Sequence, residues 1–458
     1  MDDDRRDGFD GEFGPDDLGP EDLREMLQEF LSGNGDIDPS KLASAAGLPN
    51  DPEMVAHLIS QLQNALNSSS EGVNWGLALD QAKGLAQRSS VVSLPEERSQ
   101  LEQALQVASL WLAEATQISE LTVAPKLISR TEWVTQTMPI WTQLAEPVAT
   151  SIADALTGVL AEQAGDALEG MLANAGQLMR NVGGTLFAMQ LGQVVGQLSA
   201  EVVSGGDIGI PLLGSTEGEA QAALIPQNVA SFGTGLDIPA DQVQLYLAVR
   251  ELAHARLFRH AKWLRLQLLT AITEFARGIR IDTARLEELA GDLDPNDPEE
   301  LRAALTSGAL IPPKSDEQLA ALARLETQLA LVEGWVDVVT AQATVRLPKS
   351  DAIAETVRRR RASGGPAESA FATLVGLELR PRRLREAAAM WQQVTDAVGA
   401  EARDALWQHP DVVPTADDIS DPSALIARLT GGTPERDDVD QAIEDLLNDN
   451  SGDRPTED

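Results

Sequence analysis

Cysteine is missing from this chain altogether. Its absence removes disulfide scaffolds, thiolate zinc sites, iron–sulfur clusters and cysteine nucleophiles from consideration. Histidine is nearly as scarce: His57, His254, His260 and His409 are the only imidazoles, so a nitrogen-ligated metal must draw on these four. Positive charge is also short. Against 72 Asp and Glu stand 35 Lys and Arg, a formal charge of −37, which argues against general nucleic-acid binding and against adsorption to anionic lipid. Long apolar runs are lacking too. The most apolar stretch, 182–203, is interrupted by Gln190, Gln193, Gln197 and Glu201, residues that are expensive in hydrocarbon, so it predicts a buried helix and no membrane span. The opening MDDDRRDGFDGEFGPDD is acidic and has no apolar core of a signal peptide, which predicts a cytoplasmic protein.

What is present is helical pattern. With 458 residues and 43% hydrophobic content the chain can bury a large core. Apolar residues recur at helical spacing over about 53–67, 74–87, 94–118, 131–180, 182–203, 240–277, 283–290, 316–345, 350–361, 368–376 and 382–407. Strand signals are confined to 204–236, where DIGIPLL and ALIPQNVASF are separated by Gly and Pro clusters. The expected fold is mainly α with a small β element around 204–236. Residues 1–31 hold twelve acids against three basic residues, and 435–458 ten against two. The expected organisation is an acidic tail over 1–31, one composite helical domain over 40–410, and an acidic C-terminal tail over 411–458 with a short amphipathic helix. Within 182–203, Gly184, Ala188, Gly192 and Gly196 fall at four-residue spacing and make a small-residue ridge for close helix packing.

One segment carries chemistry: GLDIPADQVQLYLAVRELAHARLFRHAKWLR. Asp237 and Pro239 suit a helix start, and Val243, Leu247, Arg250, His254 and Leu257 then fall on one stripe. Two polar side chains on a core-facing seam demand polar partners. The matching helix is LARLETQLALVEGWVDVVTAQA, with Glu333 on the edge of its apolar face, Asp337 one turn further, and Gly334 leaving room for a neighbouring backbone or ligand. Glu251, three residues before His254, can reach it across one turn.

Here the sequence resembles a mainly actinobacterial zincin-like family of hydrolases and zinc-dependent metalloproteases. The resemblance runs from about Asn74 to Leu406 and rests on NWGLA, MQLGQVVGQLS, IPQNVASF, RELAHARLFRHAKWLR, LALVEGWVDVV and RRRRASGGPAESAFATLVGLELRPRRLREA, in that order. Zincins use HExxH on a helix, with two His one turn apart on zinc and the Glu as general base. By resemblance, His254 is the second His, Glu251 the base and Glu333 the third ligand, on a peptide or protein substrate. The first His position is Arg250, so the motif reads RExxH. A guanidinium has no lone pair to give a metal.

Two readings follow. In one, His254 and Glu333, helped by His260 or Asp337, hold zinc while Glu251 activates water on an amide or ester. In the other, Arg250 occupies the vacated cation position and pairs with Glu333 or Glu251, leaving a catalytically inactive binding or scaffold protein. His260 lies about 120° off the ligand face and joins only if the helix breaks near Phe258. Residues 345–385 form a basic island, ten basic residues against four acids, which reads as internal ion pairing and a solvated helix end. Tyr246, one turn before Arg250, reads as a buried packing residue, with donation into the site the alternative, and Trp263 reads as a packing residue, with a pocket wall the alternative. Oligomeric state does not follow from the sequence.

Overall fold

The computed structural model describes residues 73–164, 184–185, 187–214, 221–278, 314–362, 366–375, 377 and 383–431. The expected tail over 1–31 and the helices expected near 53–67 and 283–290 lie outside the described residues. Those described belong to one compact unit, Gly72–Asp458.

Helices dominate, as the periodicity predicts. In chain order they are α1 (Trp75–Arg88), α2 (Pro95–Ala115), α3 (Arg130–Ala164), α4 (187–198), α5 (Pro226–Gly233), α6 (Ala240–His260), α7 (Lys262–Arg277), α8 (Asp316–Ala343), α9 (Ser350–Ala362), α10 (Pro366–Val375), α11 (Leu384–Ala405), α12 (Ala416–Ser420) and α13 (Pro422–Thr430). Two short parallel strands, β1 (Lys126–Leu127) and β2 (Ala223–Leu224), pair in register Lys126 to Ala223 and Leu127 to Leu224. No described helix is long and apolar enough to cross a membrane.

α6 is the axis of the unit. From Tyr246 to Phe258 every residue is buried, because α2, α5, α8 and α9 pack around it; a helix enclosed on all sides has no polar stripe to keep. α8 starts on a capping box in which the Ser315 hydroxyl accepts from the Gln318 N–H and the Gln318 side chain accepts from the Ser315 N–H. It becomes fully buried from Leu329 to Thr340. Asp404 ties the layers together, accepting from the Thr116 hydroxyl at 2.6 Å, the Gln117 N–H at 2.8 Å and the Trp335 indole at 2.9 Å. Trp133, Trp141, Trp335, Trp391 and Trp407 are core residues. Trp263 donates to the Trp407 carbonyl at 3.2 Å and packs on the core; it is not a wall of the candidate site.

Sequence expectation and structure part in three places. The span 240–277 is two helices, because Ala261 leaves helical geometry at φ −91°, ψ 68°. α6 begins on Pro239 without a side-chain cap, so Asp237 does not cap it. Among the described residues of 204–236 only Ala223–Leu224 is strand, with an isolated bridge from Leu224 to Ser204. PQNVASF forms α5, and DIGIPLL forms an irregular buried loop, since Gly209 takes φ +79° and Pro211 has no N–H to give a ladder.

Candidate functional site

The site lies where α6, α8, α9 and the loop 204–213 converge. Glu333 is its centre, 1% exposed on the enclosed part of α8. Arg250, one turn before His254 on α6, donates through Nη2 to Glu333 Oε2. Arg361 from the end of α9 approaches Oε1 at 2.8 Å. His254 Nε2 stands 3.1 Å from the same oxygen, and its Nδ1 is 3.1 Å from the Arg250 carbonyl. The pairing of Arg250 with Glu333 that the helix spacing anticipates is therefore present, and a second guanidinium joins it.

Electrostatics follow from that geometry. Burial pushes the Glu333 carboxyl up, but Arg361, Arg250 and His254 together hold it well below the usual carboxylate range. Burial lowers the His254 imidazole, and the two guanidinium groups add to this against the pull of Glu333. Arg250 loses hydration on burial yet ends above its ordinary value because Glu333, Tyr246, Asp337 and Asp207 all favour its cation. Glu333 is thus an anion held by two permanent cations.

Glu251 turns to the other side. Its Oε2 accepts the Gly206 N–H and its Oε1 the Ala223 N–H, each at 2.8 Å. Burial drives its carboxyl up to about 7 against the hydrogen bonds from Ala223, Ser204 and Gly206. A buried irregular loop must satisfy its backbone groups, and the site residues do this: Glu251 takes Gly206, Asp207 takes the Val203 N–H at 2.9 Å, and Arg361 donates to the Asp207 carbonyl. The loop comes in close enough that a Cβ on Gly206 would lie 2.8 Å from His254 Cβ, and one on Gly209 2.9 Å from Glu333 Oε1. What space remains beside Glu251 and His254 is about 10 Å³, room for about one water.

The other candidates are elsewhere engaged. Asp337 accepts from Arg358 at 2.8 and 3.1 Å. His260 is exposed at the end of an unbroken α6, and the helix bend at Ala261 comes too late to bring it round. His409 caps a 3-10 turn at Pro410–Val412, and His57 lies outside the described residues. Tyr246 is buried with its hydroxyl lacking a partner among the described residues and its value pushed up to about 12 by burial, so it does not donate into the site. Arg361, Asp207, Gly206 and Gly209 carry the site and were not singled out by sequence; Arg361 was hidden within the basic island.

Against known proteins, residues 73–426 match the zincin-like metallopeptidase family. The chain belongs to that family. The family is of the hydrolase kind, and the RExxH of this member falls on α6 with Glu333 opposite. No curated protein matches the chain. A solved structure from Chloroflexus aurantiacus, described as a candidate hydrolase with a novel fold, is similar with a TM-score of 0.53 and 19% identity, over 78% of this chain and 98% of that one; at that identity the likeness speaks to the fold alone. Zinc is the metal the family implies, and the donor set here does not fit it. Of the residues at the site only His254 and Glu333 are zinc donors in position, and no group of three metal-binding side chains exists among the described residues. Both oxygens of Glu333 are engaged by guanidinium groups, which would stand beside a dication.

Proposed function

We propose that this family member is a catalytically inactive zincin-fold binding or scaffold protein, in which Arg250 takes the place of the metal. The observation that carries the reading is the double engagement of Glu333 by Arg250 and Arg361. Two cations neutralise the carboxylate that a metal would use, and Glu251, the base of the family motif, accepts a backbone N–H on each oxygen, one from Gly206 of the loop that closes the site and one from Ala223 of β2. A general base needs a lone pair facing its water; here each oxygen already accepts a structural N–H, and the space left beside the carboxyl is about 10 Å³. The former reaction centre thereby becomes a fastening between α6, α8, α9 and the loop.

Family membership and one distance favour a second reading, a metal-dependent hydrolase acting on a peptide or protein substrate with a degenerate motif. His254 Nε2 and Glu333 Oε1, 3.1 Å apart, are both zinc-competent donors. That reading requires Arg250 and Arg361 to leave Glu333. Metal analysis of protein purified without chelator separates the two. The inactive reading expects substoichiometric zinc that is the same in wild type and His254→Ala, and tighter zinc binding in Arg250→His. Near-stoichiometric zinc that disappears in His254→Ala would overturn it.

A further inference from the structure

The two opposite faces of α6 differ in purpose. Arg250 and His254 face α8; Leu252 and Arg256 lie about 200° round the helix from His254, toward α2 and the segment that follows it. There a cleft of about 370 Å³ opens, within the range of small-molecule sites. One wall is the segment 121–127, which ends in β1. Its burial alternates residue by residue: Leu121, Val123, Pro125 and Leu127 are half-buried, while Thr122, Ala124 and Lys126 are exposed. Leu121, Val123, Pro125 and Leu127 line the cleft together with Ala124 and Leu252.

The charge is supplied by Arg256, only 2% exposed. Its Nη2 donates to the Ser109 carbonyl at 3.0 Å and hydroxyl at 3.1 Å and approaches Glu120 Oε1 at 3.4 Å. Its Nε and Nη1 donate to no described residue, and neither is sealed from water, so this side of the guanidinium opens onto the cleft it lines. Its acidic partner among the described residues, Glu120, is 60% exposed and at the long end of ion-pair distance. A nearly buried cation with unspent, planar donors suits a carboxylate. Glu102 and Glu120 on the lining disfavour a second negative charge on the ligand.

We propose that this cleft binds a small aliphatic monocarboxylate, its carboxylate on Arg256 and its chain against the 121–127 wall and Leu252. The site is separate from the Glu333 cluster, and the proposal stands or falls independently of whether that cluster holds metal.

Isothermal titration of the full chain with octanoate tests it, with octan-1-ol, octylamine and acetate for comparison. Octanoate is expected to bind one per chain, at least about tenfold tighter than octan-1-ol, the least that a charge-assisted hydrogen bond contributes; octylamine and acetate should give no heat. Val123→Trp, a filling substitution on a half-buried wall outside the core, should abolish binding. Glu120→Gln, which removes a competing carboxylate, should tighten it severalfold, and Arg256→Gln should reduce octanoate to the level of octan-1-ol. The proposal is overturned if octanoate does not bind, if octan-1-ol binds as tightly, if Val123→Trp leaves binding intact, or if N-acetyl-Leu-Leu binds tighter than octanoate and so assigns the cleft to a polypeptide end. Should Arg256→Gln fail to fold, Val123→Trp and Glu120→Gln still decide the matter.

Discussion

Glu251 carries a carboxylate whose protonation is set by enclosure, and its role here can be read from pH dependence. Its folded value of about 7 lies above the ordinary 4.5. A raised acid contributes stability that is fully present below the unfolded value and is lost as pH rises through the folded one, so Glu251 weakens the fold progressively between pH 4.5 and 7. Asp207 nearby pushes in the same direction, while Ser204 and the two backbone N–H groups oppose it. Glu251→Gln keeps the size and removes the titration. It places an amide against one of the two N–H donors, a cost that is constant with pH. The variant is therefore expected to gain on wild type between pH 5 and pH 8, by up to about 3 kcal/mol in urea unfolding. His254, whose value burial lowers, loses its contribution as pH falls, but it is common to both proteins and cancels in the difference. Parallel stability profiles for the two proteins would show that Glu251 does not titrate near neutrality. At this scale Arg250 was legible in the sequence, since a guanidinium on an apolar stripe can be tolerated only beside an acid. Arg361 was not: in a run of four arginines nothing but the exit direction of α9 distinguishes the one that enters the core from Arg359, whose side chain is 77% exposed.

Elements meet here through small residues, and each such meeting predicts a substitution. The ridge read from 182–203 packs on α1, where Ala78, Ala82 and Ala86 are fully buried; a Cβ on Gly192 would lie 2.6 Å from the Ala78 carbonyl oxygen. Gly334 on α8 faces the backbone of α11, where an added Cβ would sit 2.8 Å from both the Ala387 carbonyl carbon and the Ala388 nitrogen. Neither atom belongs to a side chain that can swing aside, so Gly334→Ala must separate two helices that share a core, and a loss of about 1–3 kcal/mol is expected. Gly84, a helical glycine in α1 with nothing within 4 Å of an added Cβ, serves as the opposite case: Gly84→Ala should stabilise by up to about 1 kcal/mol from helix propensity alone. Thermal melts of the pair check both signs, and a neutral Gly334→Ala would mean that α8 and α11 are less closely opposed than described. The helices were legible because their apolar period persists over many turns. The stretch 204–236 was not, because short apolar runs between Gly and Pro read alike as strand, short helix or buried loop; all three occur there, and the loop and the strand are held by Glu251 and Arg361, far away in sequence.

For the whole molecule, the formal −37 says little about the centre, where Glu333, Asp337 and Asp207 are each met by guanidinium groups. Arg358 pairs with Asp337, Arg360 with Asp207, and Arg361 with Glu333, so much of the basic island is internal counter-charge for acids on α8 and the buried loop. Stability then rests on an enclosed helix, α6, and on ion pairs whose members are both supplied by the chain. A metal-dependent fold behaves otherwise, because its ligands repel one another once the ion leaves and binding energy is folding energy. A ligand present at a hundred times its Kd adds about 2.7 kcal/mol to the native state, which moves a melting temperature by several degrees. Dialysis of the full chain against chelator is accordingly expected to leave its melting temperature unchanged, and added zinc to produce no rise that depends on His254. The His254→Ala control is essential, since so acidic a chain offers many weak surface carboxylates to a dication. A drop on chelation that zinc restores in wild type but not in His254→Ala would mean that Arg250 and Arg361 yield Glu333 to a metal, and the hydrolase reading would then be the better account of this protein.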